Sequence, residues 1–159
     1  MQVTIVAVGR IRETYLTDGI GEYEKRLRSY CQLRIIEVKD EPFREGYSQA
    51  QLEVVKAKEA ERITRAIPPR AYVIALDVRG QMQSSEGLAA IVAKLGVEGW
   101  SHIVFVIGGA LGLHASIIDR ANMRLSFSLL TFPHQLMRLI LMEQIYRWFT
   151  ITRGESYHH

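Results

Sequence analysis

Ile103-Val104-Phe105-Val106-Ile107-Gly108-Gly109-Ala110-Leu111-Gly112-Leu113 is the stretch that decides the fold. The first five residues are apolar without a break, and four of them are β-branched. A strand buried on both faces of a sheet reads this way, whereas a half-exposed strand alternates. Glycines directly after such a strand let the backbone turn sharply and approach a ligand with no Cβ in the way. In an α/β sheet, ligands bind outside the carboxyl end of a strand. Downstream lie a short polar helix pattern, a second apolar run around Leu125–Leu130, and Thr131-Phe132-Pro133-His134.

Outward from this stretch, strand and helix patterns alternate. Strand patterns cover Gln2–Val8, Leu33–Val38, Tyr72–Asp77 and Arg124–Ser128. Helical spacing of apolar residues covers Arg12–Tyr30, a segment from Ser48 to Ala66, one from Ser84 or Ser85 to Leu95, and a short one at His114–Asn122. Ser48 and Ser84 or Ser85 are placed to cap their helices. Val78-Arg79-Gly80-Gln81 reads as a turn. A last helix begins around Pro133 and runs to about Ile151, with Gly154 beyond it. This alternation predicts one α/β domain over residues 1–159, with a mostly parallel sheet and helices on both faces.

Composition narrows the class. The chain has 159 residues, 48% hydrophobic and 23% charged, enough for one domain with a sizeable core. No apolar run reaches the length of a membrane span, and Met1-Gln2 leads straight into a strand pattern rather than a signal peptide. Cys31 is the only cysteine. No internal disulfide or thiolate cluster is available, and the cytoplasm is the natural compartment. The net charge of +3 permits an anionic partner without requiring one.

The last helix is apolar nearly all round: Leu136, Met137, Leu139, Ile140, Leu141, Met142, Ile145, Trp148 and Phe149. Such a helix is buried on every side. One side packs on the sheet, and a second copy of the chain is the expected cover for the other, giving a two-fold homodimer. Glu143 and Arg147 form an i,i+4 pair. Glu59 falls on the apolar stripe of its helix and needs a partner, for which an arginine across the interface is the natural choice.

From Ile103 onward the chain carries Arg120, Arg124, Arg138, Arg147 and Arg153, and four of the five histidines. Arginine suits phosphate, and histidine suits proton transfer near neutral pH. The histidines are not at metal-ligand spacing, so no metal is expected. The glycine spacing G-G-x-x-G after the fourth strand is not a dinucleotide fingerprint, and there is no P-loop or G-x-S-x-G.

Several motifs in order resemble one family. They are Val106-Ile107-Gly108-Gly109-x-x-Gly112-Leu113, Leu125-Ser126-Phe127-Ser128, Thr131-Phe132-Pro133-His134-Gln135, Arg138, Glu143-Gln144-x-Tyr146-Arg147 and Tyr157-His158. The chain resembles, over its whole length, the ribosomal RNA large-subunit methyltransferase H family of the SPOUT methyltransferases. Ala110 departs from the proline or serine often seen there, which leaves the backbone donors of the loop intact. The resemblance implies a C-terminal trefoil knot, a homodimer, S-adenosylmethionine as cofactor, and methylation of N3 of a pseudouridine in 23S rRNA within the ribosome. It also implies cofactor contacts at Leu76, Gly108, Phe127, Ser128, Leu129, Leu130, Thr131 and Phe132. His158 and His134 are candidates for the group near the N3 proton, and Tyr157 for stacking on a base. Arg138 and Arg153 are candidates for RNA phosphate; ion pairing with Glu143 or Glu155 is their structural alternative. A SPOUT enzyme acting on another RNA such as tRNA, or an RNA-binding protein without catalysis, are the other classes open to the sequence.

Overall fold

A computed structural model describes every residue, Met1–His159. The elements in order are β1 (Gln2–Val8), α1 (Thr14–Leu27), β2 (Gln32–Val38), α2 (Gln49–Ala66), β3 (Tyr72–Met82), α3 (Ser85–Val97), β4 (His102–Ile107), α4 (Ala115–Arg120), β5 (Met123–Ser126) and α5 (His134–Thr152). A single 3-10 turn at Ser156–His158 closes the chain. The five strands form one sheet in the order β2-β1-β4-β3-β5, and every pair is parallel.

The strands' period of two sorts the core into two layers. Val3, Ile5 and Ala7 of β1 and Ile103, Phe105 and Ile107 of β4 point toward α1, α3 and α5. Val6 and Val8 with Val104 and Val106 point toward α2 and α4. β4 is central, and all its residues from Ile103 to Ile107 are buried, as its unbroken apolar run requires. Ser48 caps α2 in a reciprocal box with Gln51, and the Ser84 side chain accepts the Gly87 N–H at the start of α3.

One segment departs from the reading of the sequence. Val78–Gln81 is not a free turn but a bulged continuation of β3. Leu125 pairs with Leu76 and again with Gln81, and the residues between them bulge out. Gly80 makes this possible, since a Cβ there would lie 2.7 Å from the backbone of Arg124 and Leu125. Asp77 and Arg124 lock the bulge with a 2.6 Å ion pair.

α5 follows the edge strand β5, yet it packs against both α1 and α3 on one face of the sheet. Its own Leu141, Met142, Ile145 and Trp148 are buried against the sheet and these helices. Its outer apolar residues, including Leu139, Tyr146 and Phe149, are half-buried by these flanking helices rather than laid bare. Despite its apolar character, no helix is long and apolar enough to cross a membrane.

Candidate active site

The glycine loop after β4 folds back on itself. Gly112 donates its N–H to the Gly109 carbonyl at 3.0 Å, closing a turn over Ala110 and Leu111. Gly112 sits at φ +80°, in the region that favours glycine. Gly108 has no room for a side chain, because a Cβ there would lie 2.8 Å from the carbonyl carbon of Gly112. This turn, the end of β3 and the segment after β5 enclose a cavity of about 630 Å³. Its size is that of a small-molecule site, typically about 300–1,000 Å³.

Seven of the eight residues expected at the cofactor line this cavity: Leu76, Gly108, Phe127, Ser128, Leu130, Thr131 and Phe132. Leu129 does not; it is 78% exposed and turns outward. The segment after β5 is held by its own serines. Ser126 Oγ donates to the Ser128 carbonyl at 2.9 Å, and Ser128 Oγ accepts the Leu130 N–H at 3.0 Å. Asp77, Leu113 and Met137 also line the cavity. Sequence reading missed Asp77, although a carboxylate at the carboxyl end of a strand beside the ligand loop was the available signal.

His134 lines the cavity from the first residue of α5. Burial first, and then the Arg138 guanidinium, hold its imidazole below the usual 6.5, with Asp40 pulling the other way. The neutral form is therefore favoured, as its place at a helix N-terminus also predicts. A neutral imidazole at a cavity wall can accept a proton.

Arg138 is not available to phosphate. It is 2% exposed, donates through Nη1 to Glu37 Oε2 at 2.6 Å and through Nη2 to the Gly9 carbonyl at 3.1 Å. Its partner is thus Glu37, not the Glu143 or Glu155 that lie nearer in sequence. One helical turn from His134, Arg138 lies on the same face of α5, and both side chains approach Gly9. Arg153 is exposed; its guanidinium lies 4.2 Å from the Tyr30 ring centre and donates to the Ser29 carbonyl at 3.1 Å.

Tyr157 and His158 lie outside the cavity of their own chain. The tail is not frayed but docked on α5. Tyr157 Oη donates to Glu143 Oε1 at 3.3 Å, and its ring packs edge-on against Tyr146 and under the Arg147 guanidinium. His158 Nε2 meets Glu86 Oε1 at 2.7 Å, and its Nδ1 lies 3.2 Å from Arg147. Arg147 and Glu143 form the predicted i,i+4 pair at 2.6 Å. Burial pushes the Tyr157 hydroxyl well above its ordinary range, helped by its contact with Tyr23.

Glu59 has no arginine partner. It is 5% exposed, and its Oε2 accepts the Glu41 backbone N–H at 3.0 Å. Arg62, the nearest candidate, is engaged by the Lys39 carbonyl and Glu41 Oε2. Burial raises the Glu59 carboxyl above its ordinary value, the Glu41 N–H opposes the shift, and Asp40 adds to it.

The cavity's chemistry fits S-adenosylmethionine. Main-chain groups of the glycine turn and the 126–132 segment can read a nucleobase, and Leu76, Leu113, Phe127 and Leu130 can enclose its faces. The comparisons with known proteins agree. The family model described as a predicted SPOUT methyltransferase matches residues 1–158. A ribosomal RNA large subunit methyltransferase H of Pelotomaculum thermopropionicum is 54% identical over 157 residues, covering 99% of this chain and 98% of that protein. Proteins of the same name from Carboxydothermus hydrogenoformans and Bacillus pumilus are 52% and 51% identical, each over 99% of both chains. Among solved structures, methylase family proteins from Haemophilus influenzae Rd KW20 and Neisseria gonorrhoeae share the fold, each at a TM-score of 0.52 with 12% and 11% identity. The first match covers 98% of this chain and 69% of the other, the second 91% and 81%. With its parallel sheet, its glycine turn and these full-length relatives, the chain belongs to the ribosomal RNA large subunit methyltransferase H family of SPOUT methyltransferases.

Proposed function

We propose that this chain methylates N3 of a pseudouridine in 23S rRNA, using S-adenosylmethionine. The single observation that carries the reading is the cavity after β4, lined by seven of the residues that the family motifs mark for the cofactor. When bound there, S-adenosylmethionine supplies a methyl group on a sulfonium, already a good leaving group. The protein's own work is then alignment of the base nitrogen with that methyl and removal of the N3 proton. Leu76, Gly108, Phe127, Ser128, Leu130, Thr131 and Phe132 hold the cofactor, and Leu129 does not reach it. His134, neutral and at the cavity wall, is placed to accept a proton.

Tyr157 and His158 remain candidates to meet the base. To do so the tail leaves its bonds with Glu143 and Glu86, or serves the cavity of a second protomer. A homodimer is part of the reading, supported by exposed Leu129 and Leu130 beside α5 in the chain. The trefoil knot belongs to it too, supported by the path of the chain from the edge strand β5 back to α1 and α3. Arg153 is the remaining candidate for RNA phosphate. Action on ribosomes places the protein in the cytoplasm. Mass spectrometry of 23S rRNA, before and after incubation of unmethylated ribosomes with protein and cofactor, tests the function. A gain of one methyl on the pseudouridine is expected. Methylation of bulk tRNA instead sinks the substrate assignment, and no methylation of either sinks catalysis.

A further inference from the structure

Glu59 is the only acidic side chain among the buried residues, and no cation forms an ion pair with it. The cations around it are committed elsewhere: Arg62 and Lys58 both pair with Glu41. Its one hydrogen bond is from the Glu41 N–H. Burying a carboxylate on these terms is costly. A buried charge with perturbed ionisation beside a ligand cavity is a candidate for function.

Its position gives the function. A Cβ on Gly109 would lie 3.4 Å from both Glu59 oxygens and 3.0 Å from Val8 Cγ1. The carboxylate thus faces the Cα of Gly109, and Gly109 lines the cavity. One layer of backbone separates the negative charge from the ligand space. Asp77, the acid at the cavity wall, is already compensated by Arg124 at 2.6 Å. In a medium poorer than water in screening, an uncompensated charge acts across such a layer. The cofactor carries a positive sulfonium, whereas the product left after transfer is a neutral thioether. Burial disfavours the ionised form of Glu59, a sulfonium across the loop favours it, and the negative charge so held distinguishes these two molecules, which differ little in shape.

We propose that Glu59, from behind Gly109, is a specificity-determining residue that favours the cationic S-adenosylmethionine over neutral S-adenosylhomocysteine, so that spent cofactor is released. This rests on the cofactor reading above. Calorimetry on the full-length protein separates the two. Wild type, Glu59→Gln and Glu59→Met are titrated with S-adenosylmethionine and with S-adenosylhomocysteine. Gln keeps an acceptor for the Glu41 N–H, and Met removes charge and acceptor together while keeping a chain of similar size. Both variants are expected to weaken S-adenosylmethionine binding about fivefold or more while S-adenosylhomocysteine changes less than about twofold. Equal weakening of both ligands overturns the proposal and leaves Glu59 as a support for the loop. Unchanged affinities also overturn it. Wild type that binds neither ligand overturns the cofactor reading and this proposal with it.

Discussion

Arg138 Nη1 donates to Glu37 Oε2 at 2.6 Å, joining α5 to β2 across 101 residues of sequence. The same carboxylate oxygen accepts the Ile11 N–H at 3.2 Å, so the pair also holds the loop after β1. The two partners are buried unequally: Arg138 is 2% exposed and Glu37 41%. This predicts an asymmetry. Glu37→Ala leaves a buried guanidinium with only the Gly9 carbonyl, and is expected to cost about 3–5 kcal/mol. Arg138→Met leaves a carboxylate that water can reach, and is expected to cost only about 1–2 kcal/mol. Urea unfolding of both variants measures the difference; equal costs refute the account.

Gly108→Val is expected to abolish S-adenosylmethionine binding while far-ultraviolet circular dichroism stays unchanged. The reason is the 2.8 Å approach to Gly112, which forces the turn open without touching the core layers. Calorimetry that finds unchanged affinity removes the turn from the site.

The His134 imidazole is held below 6.5 in the folded chain. The unfolded chain therefore binds the proton more readily, and folding stability falls as pH drops below about 6.5. The loss deepens until the folded-state value is passed. His134→Asn removes this contribution. Stability curves of the two proteins are expected to differ by a constant above pH 7 and to shift in the variant's favour below pH 6.5. Parallel curves from pH 5 to 8 contradict the burial of the ring as the cause.

The tail, Tyr157–His159, touches α5 and α3 but not the cavity of its own chain. Its deletion is expected to leave S-adenosylmethionine affinity and dimerisation nearly intact, and to slow methyl transfer to ribosomes at least about tenfold. If His158→Ala alone matches the deletion, the imidazole takes the proton. If Tyr157→Ala is inactive and His158→Ala normal, the tail holds the base. Full activity of the truncated protein makes it a structural end only.

Light scattering is expected to give twice the chain mass of 18.2 kDa at micromolar concentration. Replacing exposed Leu129, which does not line the cavity, by serine tests whether the segment beside α5 belongs to the contact. An active wild-type monomer rules the dimer out of the mechanism.

What the sequence determined by itself was everything set by neighbours a few residues apart. The unbroken run Ile103–Ile107 defined the central strand, because burial on both faces leaves no place for a polar residue. Ser48 announced the start of α2, and the pair Ser84-Ser85 that of α3, where the structure chose Ser84, because an exposed helix N–H needs a nearby acceptor. The glycine turn and most of the 127–132 segment line one cavity, and the proposal that it holds the cofactor came from the family's ordered motifs rather than from local pattern. What only the tertiary structure decided were the pairings between distant residues. Arg138 looked free for phosphate until the fold brought Glu37 to it. Glu59 called for an arginine, yet α2 sets it beside the Glu41 backbone and behind Gly109, while Arg62 one turn away turns to Glu41. Arg79-Gly80 read as a turn, because a glycine looks the same whether it frees the chain or lets another strand press close. A buried charge takes whichever partner the packed chain delivers, and that delivery is a property of the whole sheet rather than of any local pattern.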